Sequence, residues 1–257
     1  MAVTALDSDV VRLLEDKIEV LDSGRDGVGI YIVGPIQLPV NLFDETVRFH
    51  WYCWMASSIK DGGLPEVFNY LTSANLAEMQ QPSVLVYGDF RNADSALLRF
   101  HSICHTGDIF GSKRCDCGFQ LKQSMKMIVD HGAGALFYLA NHEGRGIGLF
   151  SKAMAYILQE NGYDTVEANL KLGFKEDSRD YGDASRVLQH LRAKSVTVIT
   201  NNPRKLEALK SAGIAVDDRV PLWGDVSEYN ERYLRTKVDR SGHLPAAQVC
   251  PQNDDAR

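Results

Sequence analysis

Three cysteines lie close together in the sequence, at Cys104, Cys115 and Cys117, within the stretch HSICHTGDIFGSKRCDCGFQ. Thiolates are soft ligands that favour Zn²⁺, and a Cys-x-Cys pair with a third cysteine one loop away can bring three of them to one ion. Three protein ligands leave the fourth tetrahedral position for water, as in catalytic zinc sites. The adjoining Lys113 and Arg114 favour the thiolate form. The stretch therefore predicts a catalytic zinc site.

Two alternatives remain open for these cysteines. They could be buried or loop cysteines without a metal, although their polar neighbours are not typical of core positions. They could also hold a structural zinc, which needs a fourth protein ligand, and His101, His105 and Cys53 are the candidates. Cys53 lies between Tyr52 and Trp54, and we expect it to be a sheet residue.

Two strand–loop–helix junctions could bind phosphate at a helix N-terminus. The first is the glycine-rich turn NHEGRGIG at 141–148, where Arg145 can bind phosphate bidentately. The second is the start of a helix at Pro203, with Asn202 as its cap and the cation Lys205 beside it. The alternative for the first junction is a tight turn with a solvent-facing arginine. Asp177 and Arg179 lie in a polar loop, where local sequence alone favours a surface ion pair.

Composition limits the class of protein. The chain has 257 residues, is 44% hydrophobic and carries a net charge of −6. We expect a soluble cytoplasmic protein, because no apolar run reaches about 18 residues and the N-terminus is acidic. The negative charge argues against nucleic-acid and membrane partners but allows a small phosphorylated ligand. Five cysteines, three of them clustered, favour reduced thiols over disulfides.

Hydrophobic periodicity predicts an amphipathic helix over 5–22 and β-rich sequence over 28–54. Strands and helices alternate after residue 83, which predicts an α/β fold with a mixed or largely parallel sheet and flanking helices. The predicted organisation is an N-terminal helix and β-rich segment (1–83), a core (84–244) and a flexible tail (245–257). The predicted later strands are 83–90, 96–103, 133–139 and 195–200, and the predicted later helices are 118–129, 149–159, 184–191 and 203–212.

Six strings resemble the GTP cyclohydrolase II family, in that family's order and near its spacing: HSICHTGDIFGSKRCDCGFQL, EGRGIGL, QENGYDTVEAN, LGFKEDSRDYG, ITNNPRK and YLRTKVDRSGHL. The resemblance covers about 84–244 and implies a zinc-dependent cyclohydrolase of riboflavin synthesis. The implied reaction opens GTP to 2,5-diamino-6-ribosylamino-pyrimidinone 5'-phosphate and releases formate and pyrophosphate. The resemblance also implies Mg²⁺ on the nucleotide phosphates and a homodimer.

The resemblance further implies roles for individual residues. Cys104, Cys115 and Cys117 hold the zinc that activates water. Asp177 accepts a proton, and Arg179 acts at the α-phosphorus, either as nucleophile or by stabilising charge in the transition state. Tyr156 lies near the base and the metal and is counted with the catalytic residues. The implied substrate-binding residues are Arg99, Ser102, Gln120, Glu143, Gly144, Arg145, Thr165, Thr200 and Lys205.

The chain departs from the family pattern near the substrate. Ile103 stands where the family usually has glutamate, His142 stands where it has glutamine, and the stretch 132–143 is one residue longer. Loss of a polar contact to the base can change the preferred ring. One alternative is therefore a paralogue that opens another ring, such as the uracil of UMP in pyrimidine catabolism. Another is a non-catalytic zinc and nucleotide-sensing module. We expect no dihydroxybutanone-phosphate synthase domain within 1–83.

Overall fold

The structure is a computed structural model that describes residues 8–21, 29–57, 67–68, 70–71 and 79–244. Within these residues, eight strands form one sheet in the order β1-β2-β3-β4-β6-β5-β7-β8. The strands are β1 Ile18–Leu21, β2 Gly29–Leu42, β3 Glu45–Ser57, β4 Ser83–Tyr87, β5 Leu97–Ser102, β6 Gly134–Leu139, β7 Val196–Ile199 and β8 Val216–Val220. The α-helices described over their full length are α1 Ser8–Glu15, α2 Cys117–His131, α3 Leu149–Glu160, α4 Thr165–Lys171, α5 Gly182–Leu191, α6 Pro203–Ser211 and α7 Glu231–Asp239.

The sheet has two halves with different strand directions. β1 to β4 and β6 pair antiparallel, whereas β5 pairs parallel with β6 and β7, and β7 pairs parallel with β8. The β2–β3 hairpin turns at Phe43 and Asp44, whose φ angles are 49° and 66°, and such turns match the twist of the flanking strands. The predicted α/β fold with a β-rich N-terminal segment is confirmed, and the sheet is mixed rather than largely parallel.

Local predictions differ from the structure at the N-terminal helix and at three elements that were not predicted. Within the described part of the predicted helix 5–22, Ser8–Glu15 is helical, and Ile18–Leu21 is a strand because its backbone pairs with β2. Residues 5–7 and 22, most of the connection 56–83, and the tail with Cys250 lie outside the described residues. Strand β8 and helices α4 and α7 were not predicted, since short elements such as VDDRV and ERYLRTKVD contain few apolar residues. The division after residue 83 stays a prediction.

Apolar clusters on both faces of the sheet hold the strand ends in place. Phe100 and Phe137 pack edge-to-face in one cluster, with ring centroids 5.1 Å apart, and Ile128 and Leu136 belong to the other. Parallel β5, β6 and β7 therefore end at a common edge, which is where α/β folds place their ligands. Within the described residues, none of the helices has the length and apolar character needed to cross a membrane.

Candidate metal and nucleotide site

A cavity of about 1160 Å³, including its mouth, opens at the C-terminal ends of β5, β6 and β7. Of the residues proposed from sequence, all line it except Asp177, which contacts the lining residue Arg179. The cavity contains two groups that differ in chemistry. We call Cys104, Cys115 and Cys117 the sulfur cluster, and we call Arg99, Arg145, Arg179 and Lys205 the cation cluster.

The sulfur cluster is shaped by the turn that follows β5. A single π-helical turn, His105–Ile109, returns the chain toward Cys104, and Asp108 accepts hydrogen bonds from the Cys104 N–H (2.9 Å) and the Tyr138 hydroxyl (3.0 Å). Gly107 lies against the sulfurs, and a Cβ there would stand 2.7 Å from Cys115 Sγ. Only glycine therefore leaves room for this arrangement of thiols.

The thiol geometry fits a zinc ion. Cys104 Sγ lies 3.6 Å from Cys115 Sγ, and all three sulfurs lie within 4.8 Å of one another. Tetrahedral bonds of about 2.3 Å place sulfurs about 3.8 Å apart. Hydrogen bonds from Cys115 and Cys117, with the positive charge of Lys152, hold the pKa of Cys104 well below its usual range, whereas the pKa values of Cys115 and Cys117 are raised by their interaction with Cys104. Full ionisation of the cluster therefore requires a cation.

The residues considered as a fourth protein ligand are engaged elsewhere. His101 Nε2 lies 3.1 Å from Asp108 Oδ2, the His105 ring packs on Phe110, and Cys53 Sγ lies 3.5 Å from the carbonyl oxygen of Pro82. Within the part of the chain that the structure describes, the metal-competent group that includes Cys104 holds only the three cysteines. This donor set matches the open coordination of a catalytic site.

A buried lysine that sequence reasoning missed contacts the sulfur cluster. Lys152 on α3 places Nζ 3.2 Å from Cys104 Sγ and 2.7 Å from Glu143 Oε1. Burial disfavours its charge, but the negative Cys104 and Glu143 outweigh burial and raise the pKa of Lys152. The sequence feature that could have indicated Lys152 is its position one helical turn before Tyr156. Tyr156 also lines the cavity.

Tyr156 closes the side of the cavity next to the sulfur cluster. Its hydroxyl lies 3.1 Å from Thr106 Oγ1, and the guanidinium of Arg114 stacks 4.2 Å from its ring centroid. Burial raises the pKa of the Tyr156 hydroxyl. The phenol is therefore neutral at pH 7 and can donate or accept a hydrogen bond near the thiols.

The cation cluster begins at the ends of β5 and β7. Arg99 donates to Gln120 Oε1 (2.7 Å) and to the carbonyl of Ile199 (3.0 Å). Lys205 is buried at the first turn of α6, where burial and the positive Arg99 and Arg179 hold its pKa well below its usual range. Thr200 lines the same region of the cavity. Buried cations without paired carboxylates favour an anionic ligand.

Asp177 and Arg179 form a bidentate pair. Arg179 donates from Nε and NH2 to the Asp177 carboxylate at 2.8 and 2.7 Å, and Arg204 NH1 reaches the same carboxylate at 3.1 Å. Despite burial, these hydrogen bonds and charges hold the pKa of Asp177 well below its usual range. With its oxygens occupied by two arginines, Asp177 is placed to orient Arg179.

The glycine-rich turn brings the remaining arginine into the cavity. Gly144 and Arg145 have φ angles of 61° and 66°, and a Cβ on Gly144 would stand 2.8 Å from Ile147 Cγ1. Arg145 NH2 donates to Ser241 Oγ at 3.0 Å, and Arg145 NH1 lies 3.7 Å from Glu176 Oε1. Because its carboxylate contact is long, the Arg145 guanidinium retains capacity for a ligand.

Ser102 links Arg179 to the residue that departs from the family pattern, His142. The ring nitrogen Nε2 of His142 donates to the carbonyl of Asp180 (2.7 Å), because a carbonyl only accepts. Nδ1 therefore accepts from Ser102 Oγ (3.2 Å), and Ser102 Oγ in turn accepts from Arg179 NH1 (3.4 Å). Burial and the positive Arg179 lower the pKa of His142 to about 4. Ile103, the other departure, also lines the cavity.

Helices α4 and α7 add lining residues, some of which sequence reasoning missed. Thr165 follows the Asp164 cap of α4, and one turn later Asn169 is buried with its amide nitrogen unpartnered. From α7, Lys237 pairs at 2.8 Å with Asp116, which lies between two of the cysteines. The missed lining residues include Asn169, Trp223, Tyr233, Lys237 and His243. Asn169, Tyr233, Lys237 and His243 lie in strings that resemble the family, but the resemblance did not single them out as site residues.

The fold and the site define an α/β protein with a three-cysteine centre in a cavity lined by arginine and lysine. The sequence model of the family described as GTP cyclohydrolase II matches residues 65–221. The chain therefore belongs to the GTP cyclohydrolase II family, a family of hydrolases.

Relatives named for riboflavin biosynthesis are similar to this chain. A riboflavin biosynthesis protein from Vibrio vulnificus is 52% identical over 224 residues, which are 86% of this chain and 60% of that protein. The RibBA riboflavin biosynthesis protein of Chlamydia muridarum is 51% identical over 171 residues, which are 66% of this chain and 40% of that protein. The RibBA protein of Chlamydia trachomatis is 44% identical over 210 residues, which are 80% of this chain and half of that protein. The chain thus spans about 40–60% of the length of these relatives.

Proposed function

We propose that this chain is a zinc-dependent cyclohydrolase that opens the imidazole ring of GTP. The products would be 2,5-diamino-6-ribosylamino-pyrimidinone 5'-phosphate, formate and pyrophosphate. The reaction would belong to riboflavin biosynthesis. The observation that carries the proposal is the sulfur cluster in the same cavity as the cation cluster. Family membership and relatives named for riboflavin biosynthesis support it.

Cys104, Cys115 and Cys117 would hold the zinc. The sulfur spacing, the room left by Gly107 and the shared negative charge support this assignment. When bound there, Zn²⁺ supplies Lewis-acid activation of water for attack on the ring carbon. Tyr156 is adjacent through Thr106 and can hydrogen-bond the base or the water during ring opening.

The cation cluster would bind the triphosphate. Arg99 and Arg145 supply positive charge without fully committed carboxylate partners. Burial and the neighbouring cations lower the pKa of Lys205, and an anionic ligand would favour its protonated form. Arg179, oriented by Asp177 and Ser102, would stabilise charge that develops at the α-phosphorus as pyrophosphate leaves. Mg²⁺ on the phosphates, the remaining substrate-binding residues named from sequence, and a homodimer belong to the same proposal.

The test is an incubation of zinc-loaded protein with GTP and Mg²⁺, followed by absorbance for ring loss and by mass spectrometry for products. We expect formate, pyrophosphate and the diaminopyrimidinone in equal amounts. The matched control is Cys115→Ser protein carried through the same zinc treatment, which we expect to be inactive because it retains almost no zinc. Intact GTP after incubation with fully zinc-loaded protein would refute the proposal.

A second candidate keeps the metal chemistry and changes the base. Ile103 lines the cavity directly before Cys104, so an apolar side chain replaces the carboxylate usual in the family. A site without that carboxylate discriminates differently between bases. Parallel incubations with UTP, UMP and uridine distinguish this candidate, since turnover of a uracil compound with intact GTP would favour it. Binding of nucleotide without any turnover would instead favour a sensing module.

A further inference from the structure

Lys152 is a buried cation in the cavity to which neither the sequence nor the proposed reaction assigns a role. Its side chain is 9% exposed and that of Glu143 is 2% exposed. Its ammonium nitrogen lies 3.2 Å from Cys104 Sγ and 2.7 Å from Glu143 Oε1. Both distances are those of hydrogen bonds, so the ammonium donates to a carboxylate and to a sulfur at the same time.

Glu143 holds this ammonium against the sulfur. Its second oxygen, Oε2, accepts from the backbone N–H of His105 at 2.7 Å, and Oε1 also accepts from the backbone N–H of Gly144 at 3.1 Å. Glu143 is therefore anchored on the residue directly after Cys104. An ion pair that served only to neutralise Glu143 would not require the ammonium to reach a thiol.

We propose that Lys152 tunes the metal centre by donating a hydrogen bond to the Cys104 thiolate, with Glu143 as the residue that positions the ammonium. This inference rests on the zinc site of the proposed function. Three thiolates and one Zn²⁺ leave a net negative charge, which opposes activation of water. A charge-assisted hydrogen bond withdraws electron density from Cys104, so the metal becomes a stronger Lewis acid. Glu143 then supports the metal centre, in addition to any contact with nucleotide.

The experiment uses full-length protein loaded with Co²⁺ in place of zinc, because thiolate ligation then produces a visible sulfur-to-cobalt charge-transfer band. Wild type is compared with Lys152→Met, which removes the ammonium at similar volume, and with Lys152→Arg, which keeps a cationic donor. Lys126→Met, on the surface of α2, controls for the loss of one positive charge. The second readout is alkylation of zinc-loaded protein by iodoacetamide, with the modified cysteine identified by peptide mass.

We expect Lys152→Met to shift the charge-transfer band to longer wavelength, because the sulfur lone pairs lose their hydrogen-bond donor. Alkylation of Cys104 should accelerate about tenfold, in line with the loss of one charge-assisted hydrogen bond. Lys152→Arg should restore both readouts toward wild type, and Lys126→Met should leave them unchanged.

Two results would overturn the inference, and they are distinguishable. A wild-type protein that binds no Co²⁺ through sulfur would remove both the proposed function and the inference. A normal wild-type band that is unchanged in Lys152→Met, with unchanged Cys104 alkylation, would remove the inference alone. If Lys152→Met does not fold by circular dichroism, Glu143→Gln takes its place. We expect a smaller shift in the same direction for Glu143→Gln, and an unchanged band would again overturn the inference.

Discussion

The sulfur cluster and the cation cluster lie in one cavity but are built in different ways. The three cysteines fall within fourteen residues, 104–117, and one π-helical turn and one glycine bring them together. The cations come from β5, the turn after β6, the loop before α5 and the start of α6. The sulfur cluster is therefore encoded locally, whereas the cation cluster depends on the packing of distant segments. Changes in one cluster should leave the other measurably intact.

The largest effect should follow removal of one thiol. Cys115→Ser should lower zinc content from one ion per chain to nearly none, because a neutral hydroxyl replaces a thiolate ligand. Equilibrium dialysis with metal analysis checks this, and nucleotide binding measured by calorimetry should persist. Cys53→Ser is the matched control, since Cys53 lies on β3 beside the carbonyl of Pro82. Full zinc retention in Cys115→Ser would contradict the ligand assignment.

The second prediction concerns the cation cluster, where the change removes the Asp177 carboxylate that orients Arg179. Asp177→Asn should lower turnover about a hundredfold with zinc content unchanged, because the bidentate pair is lost and Arg179 becomes misplaced. Because the folded pKa of Asp177 lies below its unfolded value near 4, its stabilising effect is present above that pH and is lost as pH falls. Steady-state kinetics and metal analysis test the prediction. Asp183→Asn, on the surface of α5, is the control, and unchanged turnover in Asp177→Asn would count against the role.

A smaller effect is expected at Lys205, where ligand binding and stability oppose each other. Lys205→Met should raise KM for GTP about tenfold but increase the free energy of unfolding, because a buried cation beside Arg99 and Arg179 disfavours the folded state. Between the lowered folded pKa of Lys205 and about pH 10.4, the unfolded chain binds more protons at this site, so the stability of the wild type should rise with pH through that window. Steady-state kinetics measures KM, and urea titrations at pH 7 and 9 measure the free energy of unfolding of both proteins. A less stable variant would contradict the prediction.

The smallest effect concerns His142, which has a pKa of about 4. Between this value and about 6.5 the unfolded chain binds more protons, so stability falls as pH is lowered through that window. The glutamine side chain of His142→Gln can keep the hydrogen bonds to Ser102 and Asp180, but its amide does not take up a proton in this pH range. We expect its urea midpoint to fall less between pH 7 and pH 5 than that of wild type, with zinc content unchanged. Equal decreases would show that His142 is not the titrating group.

The prediction of site residues from sequence was most complete where the motif is contiguous. The three cysteines were predicted as a cluster because their spacing is specific, whereas Gln120 and the substrate-binding residues of the glycine-rich turn were implied by the resemblance to the family. Lys152, Asn169 and Lys237 were not recognised, since a lone lysine or asparagine on a helix has no local feature that separates cavity from solvent. Their placement depends on how α3, α4 and α7 pack around the strand ends.

The fold shows the same contrast between features that are local in the sequence and features that depend on tertiary packing. Alternating strands and helices after residue 83 were apparent from hydrophobic periodicity, but Ile18–Leu21 is a strand because β2 offers it an unpaired edge. The direction of strand pairing is likewise a tertiary property, because periodicity of two is common to parallel and antiparallel strands.

By itself, the sequence determined the three-thiol centre, the α/β class and the family, because each depends on residue types at short, specific spacing. Only the tertiary structure decided that Asp177 binds two arginines and that Lys152 reaches Cys104. It also decided that His142 accepts a hydrogen bond from Ser102. The residues that meet in these contacts are separated by 2 to 48 positions in the chain. Their energies depend on burial and on the neighbouring charges, which exist only once the strands and helices are packed.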